Sequence, residues 1–181
     1  MSLAHAILGI LRDQPMTGYD LKTRCFDQSI AHFWPADQAQ IYRTLDRMAT
    51  EGWLASAVEM QEGRPSRKVY RLTDAGRAEL DRWLRTEQPL TAYREPFLIQ
   101  LFFAEGLSDG AIEELLARRR ELHQRRLAQY RAIPLPELDQ LAGDRRLLLQ
   151  RLTLEYGIAQ EEAQLAWIDR ASEVVGERRA P

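Results

Sequence analysis

Between Gln38 and Arg47 the sequence QAQIYRTLDR interleaves amide, phenol and guanidinium groups, and between Arg64 and Arg71 the sequence RPSRKVYR gathers four cations. Guanidinium and amide groups present hydrogen-bonding atoms in fixed pairs, which suits guanine and adenine edges, whereas a stripe of lysines alone would serve only phosphate. No comparable set exists for catalysis. His5, His32 and His123 stand apart in the chain, and no HExxH or paired-cysteine spacing is present to hold zinc. There is neither a GxxxxGK phosphate loop nor a nucleophile elbow. Cys25 falls on the inward side of its expected helix, where a packed thiol is inert. The expectation is therefore no catalytic residue, no metal and no cofactor.

Those polar groups need elements to hold them. Ile41, Leu45 and Met48 recur at helical spacing, so turning each residue by about 100° puts Ala39, Gln40, Arg43, Asp46 and Arg47 outward and Tyr42 at the edge. Asp37 followed by Gln40 predicts a reciprocal cap at the start of this helix, and Gly52 its end. Trp53 to Met60 and Arg67 to Leu72 read as two strands joined through Glu62, Gly63, Arg64 and Pro65. Thr73 caps the next helix, with Leu80, Trp83 and Leu84 on its apolar side. Upstream, Leu3, Ile7, Leu8 and Leu11 face a core from a first helix. Pro15 to Gly18 form a break, and a second helix, capped by Thr17, places Leu21, Cys25 and Ile30 inward and stops before Pro35. The order is a helix that can enter a major groove, followed by a hairpin with cations at its tip: a winged helix-turn-helix.

Composition limits the alternatives. At 45% apolar and 29% charged the chain is an ordinary folded protein, with no apolar run near the ~20 residues that cross a bilayer. The N-terminus lacks a basic leader and reads as a helix of the fold, and a single cysteine cannot form an internal disulfide, so the cytoplasm is expected. Net charge is -2; up to Arg85 there are 12 Lys and Arg against 11 Asp and Glu, leaving 13 against 16 for the rest. Total charge thus argues little for a polyanionic partner, and the case rests on where the cations sit.

Near Gln88-Pro89 the pattern changes, and beyond it every strong signal is helical. Glu95-Pro96 opens one helix, Ser108 caps a long one to about Arg131, and a last helix runs from about Asp144 to Val175. The expected domains are 1–86, the winged helix, and 91–176, helical. Leu115, Leu122, Leu147, Leu148, Leu152, Ile158, Leu165 and Ile168 offer apolar stripes longer than a small monomer requires. They serve either packing within one subunit or a two-fold dimer.

GYDL, IYRTLDRMATEGWL, EGRPSRKVYRLTDAGRAEL and the following Trp83-Leu84 resemble the winged-helix region of PadR-type regulators, and the rest resembles the layout of their longer subfamily, with a Vir-type helical C-terminal domain. The resemblance implies a homodimer, dimerised largely through that domain, that binds an inverted-repeat operator, usually as a repressor. It also implies Tyr19, Gln40, Tyr42 and Arg43 near DNA, with Arg64 and its neighbours in the wing. The roles assigned are base or phosphate contact for Gln38, Gln40 and Arg43, phosphate contact for Tyr19 and Tyr42, and a grip on the backbone by Arg64, Arg67 and Lys68. A small aromatic effector is also implied, with Trp34, Phe97 and Tyr156 as its candidate contacts; aromatics at helical spacing equally serve as core. The competing class is a winged-helix adaptor that docks on protein without reading DNA.

Overall fold

The computed structural model describes residues 2–28, 30–61, 64–90, 92, 94–141 and 143–177, the side chains of Gln61, Arg64 and Pro65 excepted. The chain forms two compact units, Met1–Thr91 and Ala92–Pro181.

In the first unit α1 spans Ser2–Leu11, β1 Met16–Thr17, α2 Gly18–Asp20 with a continuation in wider π-type turns over Leu21–Phe26, α3 Gln38–Thr50, β2 Leu54–Gln61, β3 Arg64–Leu72 and α4 Asp74–Arg85. Buried residues from all these elements meet in one core, including Ile7, Leu8, Leu21, Phe26, Ile41, Leu45, Met48, Leu54, Tyr70 and Leu80. The three strands are antiparallel in the order β1-β3-β2. The strand at Met16–Thr17 replaces the simple break expected there: two residues are too few to show an alternation, and their pairing with Val69 and Tyr70 is set by the fold. Cys25 and Ile30 pack inward against this core as expected, with Phe26 buried deeper beside them because the wide turns shift the face. One other expectation is corrected. Leu84 is exposed, while Trp83 lies flat on the His5 ring at 4.6 Å.

Local chemistry fixes the ends of the elements. Asp37 Oδ1 accepts from Gln40 N (2.7 Å) while Gln40 Oε1 accepts from Asp37 N (3.1 Å), the reciprocal cap expected for α3. Gly52 takes φ +75 at the end of that helix, a conformation costly for other residues. Thr73 Oγ1 accepts from Gly76 N at 3.1 Å and lies 2.7 and 2.9 Å from the carbonyl oxygens of Gly52 and Trp53. The cap of α4 thus ties together the two ends of the β2–β3 hairpin.

In the second unit α5 spans Pro96–Phe102, α6 Asp109–Arg131 and α7 Arg145–Glu177. Pro96 suits the first turn of α5, and the Glu95 carboxylate accepts from Phe97 N (3.1 Å) and from Arg119 (2.6 Å). Ser108 caps α6 by accepting from Ala111 N. Phe97, Leu116 and Ile168 form the core, with Trp167 edge-on to Phe97 at 6.2 Å. His123, which stands apart in the sequence, and Glu161 are both buried and meet at 2.5 Å between α6 and α7. Arg126 adds its charge to Glu161 at 3.5 Å, as a buried carboxylate requires.

Candidate nucleic-acid interface

α3 buries Ile41, Leu45 and Met48 and exposes Gln38, Ala39, Gln40, Arg43, Asp46 and Arg47. Arg43 stands on the middle of that outward face and has neither an ion-pair nor a hydrogen-bond partner among the described residues. A guanidinium already clamped by a carboxylate would have to break that pair to meet a base or phosphate; Arg43 does not. Arg47 reaches Glu51 at 3.6 Å one turn on, an exposed contact that yields readily. Gln38 opens the helix with its side chain in solvent. Gln40 is less free than its type suggests, since its Oε1 is used in the cap; only its amide N–H groups remain clearly available, which weakens the bidentate adenine reading.

Tyr42 and Tyr19 both lie at the junction of α3 with α2. A Cβ on Gly18 would approach the Tyr42 ring to 2.7 Å, so the absence of a side chain there lets the ring lie against the start of α2 while remaining partly exposed. Tyr19, next in the chain, is well exposed, with its hydroxyl available to an oxygen acceptor.

The wing cations separate. Strand alternation puts Arg67 and Lys68 on opposite faces of β3, and their partners agree. Lys68 points to α3, with Nζ 3.5 Å from Asp46 and 5.1 Å from the centre of the Tyr70 ring. Hydrogen bonding to Tyr70, reinforced more weakly by Asp46, raises the lysine further above its ordinary value, so it is fully charged near neutrality. Arg67 turns the other way and holds Glu59, its cross-strand partner, through Nε at 3.0 Å and Nη2 at 2.9 Å. Of the cations expected to grip the backbone, Arg67 and Lys68 thus lie on opposite faces of β3. Arg64 belongs to β3 opposite Gln61, so the strand starts earlier than expected. Its side chain, with Glu62 and Gly63, lies outside the described residues, and the register shifts between the Glu59 and Gln61 pairs. Opposite Met60 stand Pro65 and Ser66, and a proline has no N–H for the ladder.

Sequence reasoning missed Asp46 and Glu59 as internal partners of the wing cations. The Glu59–Arg67 pair follows once the hairpin register is known; the Asp46–Lys68 contact needs the packing of hairpin on helix. Net electrostatics are accordingly muted: Arg47, Arg67 and Lys68 are each held by a carboxylate, while Arg43 has no partner among the described residues.

Of the candidate effector residues, Trp34 belongs to the first unit, and Phe97 and Tyr156 to the second. Trp34 lines a shallow hollow of the first unit with Leu3, Pro35, Gln40, Arg43, Thr44 and Arg47. Phe97 is buried in the core of the second unit, and Tyr156 is exposed on α7, where its Oη accepts from Gln160 Nε2 at 2.9 Å. The eleven residues separating Tyr156 from Trp167, the edge-on neighbour of Phe97, span about 16 Å of helix. Among the described residues no group of three or more His, Cys, Asp or Glu is placed to hold a metal. Nor is any helix among them long and apolar enough to cross a membrane.

Comparison with known proteins places these features. Residues 7–82 match the transcriptional regulator PadR-like family, and residues 93–175 the virulence activator alpha C-terminal domain. The probable transcriptional regulator Rv1176c of Mycobacterium tuberculosis is 36% identical over 99% of this chain and 100% of its own length. The negative transcriptional regulator PadR of Bacillus subtilis is 32% identical over 70% of this chain and 69% of its own. The crystal structure of that PadR with operator DNA superposes with a TM-score of 0.85 at 25% identity, covering 97% of this chain and 99% of that one; its complex with p-coumaric acid gives 0.83 at 24%, with the same coverage. The virulence activator AphA of Vibrio cholerae gives 0.76 at 29% identity, again over 97% and 99%.

Proposed function

Since this chain belongs to the PadR family of transcriptional regulators, we propose that it is a repressor that binds an inverted-repeat operator as a homodimer and leaves it when a small aromatic effector binds. The observation that carries the reading is Arg43, without a partner among the described residues, at the centre of the outward face of α3, on the surface that Lys68 joins to the wing. In this reading residues 1–86 form the DNA-binding domain and 91–176 the dimerisation domain, and the protein works in the cytoplasm. Gln38 and Arg43 reach base edges, Tyr19 and Tyr42 contact phosphates, and the wing follows the backbone with Arg64 and Lys68 on it. Gln40 contributes donors only. Arg67 takes part after releasing Glu59.

One winged helix covers too little DNA for selective binding; two related by a two-fold axis would meet half-sites about 34 Å apart. Support for the dimer comes from α7, where Leu148, Leu152 and Tyr156 follow one another at helical spacing and are all exposed, with Leu122 exposed on α6. The p-coumarate complex of the B. subtilis protein supports an aromatic effector for this one. Of the three candidate contacts only Trp34 and Tyr156 have exposed rings, and the buried Phe97 is better read as core.

Fluorescence anisotropy against genomically selected duplexes tests the reading. The expected log K falls linearly with log salt, by about 0.9 per phosphate engaged. Capture of a protein partner that is insensitive to salt, without duplex binding, would favour the adaptor instead. Sedimentation equilibrium at micromolar concentration should give a dimer, and a monomer there removes the two-fold operator model.

A further inference from the structure

β2 carries two exposed apolar side chains that the core does not use, Val58 at 65% and Met60 at 87% exposure. They lie past Leu54 on the same alternating face, and Leu54 is buried. Single exposed apolar residues are ordinary, but an edge strand usually carries charge where it projects from the core. Here the charge on β2, Glu59, lies on the opposite face in the hold of Arg67, and the face of Val58 and Met60 carries none.

The position of this pair is specific. Val58 stands directly opposite Lys68, whose Nζ reaches Asp46 on α3. The apolar face of the wing therefore borders the same outward surface as Arg43 and continues it away from the helix. We propose that Val58 and Met60 form an apolar edge that lies against the deoxyribose walls of a DNA minor groove next to the half-site. This inference rests on the regulator reading given above. Sugar walls are the apolar part of a duplex, and wedges of Met and similar residues recur in minor-groove binding. Methionine is unbranched and polarizable, so it fits a groove whose width varies with sequence. Lys68 beside the pair, and the basic residues of β3 behind it, supply the cations that draw phosphates to either side. A second copy adding its own strand to β2 is the other occupant to weigh. The bulge in β3 at Pro65 and Ser66, opposite Met60, increases the local twist of the hairpin, so β2 lacks the flat edge such pairing favours.

The test compares wild type with Val58→Ala/Met60→Ala on the selected operator, with sedimentation of both. Both side chains are exposed, so the variant should keep the melting temperature and dimer mass. Affinity should fall roughly tenfold through lost apolar contact, with the slope of log K against log salt unchanged because no phosphate contact is removed. Wild type should also bind more tightly when guanines flanking the half-site are replaced by inosine, which clears the 2-amino group from the groove, and the variant should lose that preference. Equal affinity of variant and wild type on an operator that wild type binds normally overturns this inference alone. So does a fall in affinity accompanied by a change of oligomeric mass. Absence of salt-dependent duplex binding by wild type overturns the regulator reading, and this inference with it.

Discussion

Replacing Asp46 by asparagine should tighten operator binding, and the reason can be worked from the contact with Lys68. The two charges are 3.5 Å apart, with 47% and 68% of their side chains exposed. Such a pair contributes about 0.2–1 kcal/mol, all of which must be given up before the lysine can serve a phosphate. A phosphate drawn to Lys68 would also stand about 7 Å from the Asp46 carboxylate, adding a hydrogen-bond length to the 3.5 Å contact. Their repulsion in water is about 0.6 kcal/mol, and roughly half of that survives screening at physiological salt. Asp46→Asn removes both effects, for a gain of about 1 kcal/mol, or roughly fivefold in affinity. Anisotropy titrations at several salt concentrations should show the gain shrinking as salt rises. Lys68→Ala should weaken all duplexes alike and reduce the salt slope by about 0.9. In the Lys68→Ala background the asparagine substitution should return less than about twofold, since only the screened repulsion remains. A gain of equal size with and without Lys68, or no gain at all, would refute the argument that the lysine exchanges one anion for another.

Other substitutions probe other parts. Arg43→Ala should cost about 1–3 kcal/mol on the operator and relax preference at one base position, read by binding to single-base variants of the site. Gly18→Ala should displace the Tyr42 ring, which a Cβ would meet at 2.7 Å, and destabilise the first unit by about 1–3 kcal/mol in urea unfolding. Glu79 bridges His5 at 2.9 Å and Arg82 at 2.7 Å, and those bonds, Arg82 foremost, lower its pKa to about 2. A depressed carboxylate stabilises the fold above its ordinary value of 4.5 and loses that contribution as pH falls towards about 2. Glu79→Gln should therefore melt earlier than wild type near neutrality, with the difference closing across that acid range in Trp fluorescence melts. Leu152→Asp places a charge in the exposed stripe of α7 and should shift sedimentation towards monomer without lowering helicity.

Local signals carried much of the fold. Asp37 with Gln40, Thr73 and Ser108 marked the starts of α3, α4 and α6 because a cap involves residues only a few positions apart. Ile41, Leu45 and Met48 set the outward face of α3 by geometry alone. What escaped depends on contacts distant in sequence. β1 exists only because β3 lies beside it, and His123 finds Glu161 from across a helical hairpin. The candidate site divides in the same way. Arg43 and Tyr42 follow from helix periodicity. The opposed directions of Arg67 and Lys68 follow from alternation in the strand read over Arg67 to Leu72, whereas its extension back to Arg64 was disguised by the turn-like sequence GRPS. Gln40 illustrates a third case, in which one side chain had two legible uses, capping and base contact, and the cap now holds its acceptor.

The clasp formed by Thr73 on the carbonyls of Gly52 and Trp53 closes the hairpin at its root. A ribbon fixed at one end deflects as a cantilever: displacement grows towards the free end, and the support feels little of it. Changes in loop length or composition beyond the clasp can alter how far the ribbon reaches along a duplex while leaving the seating of α3 undisturbed. Exchange of that outer segment with a relative's should transplant flank preference as a separable trait, and loosening the clasp by Thr73→Val should blur both together.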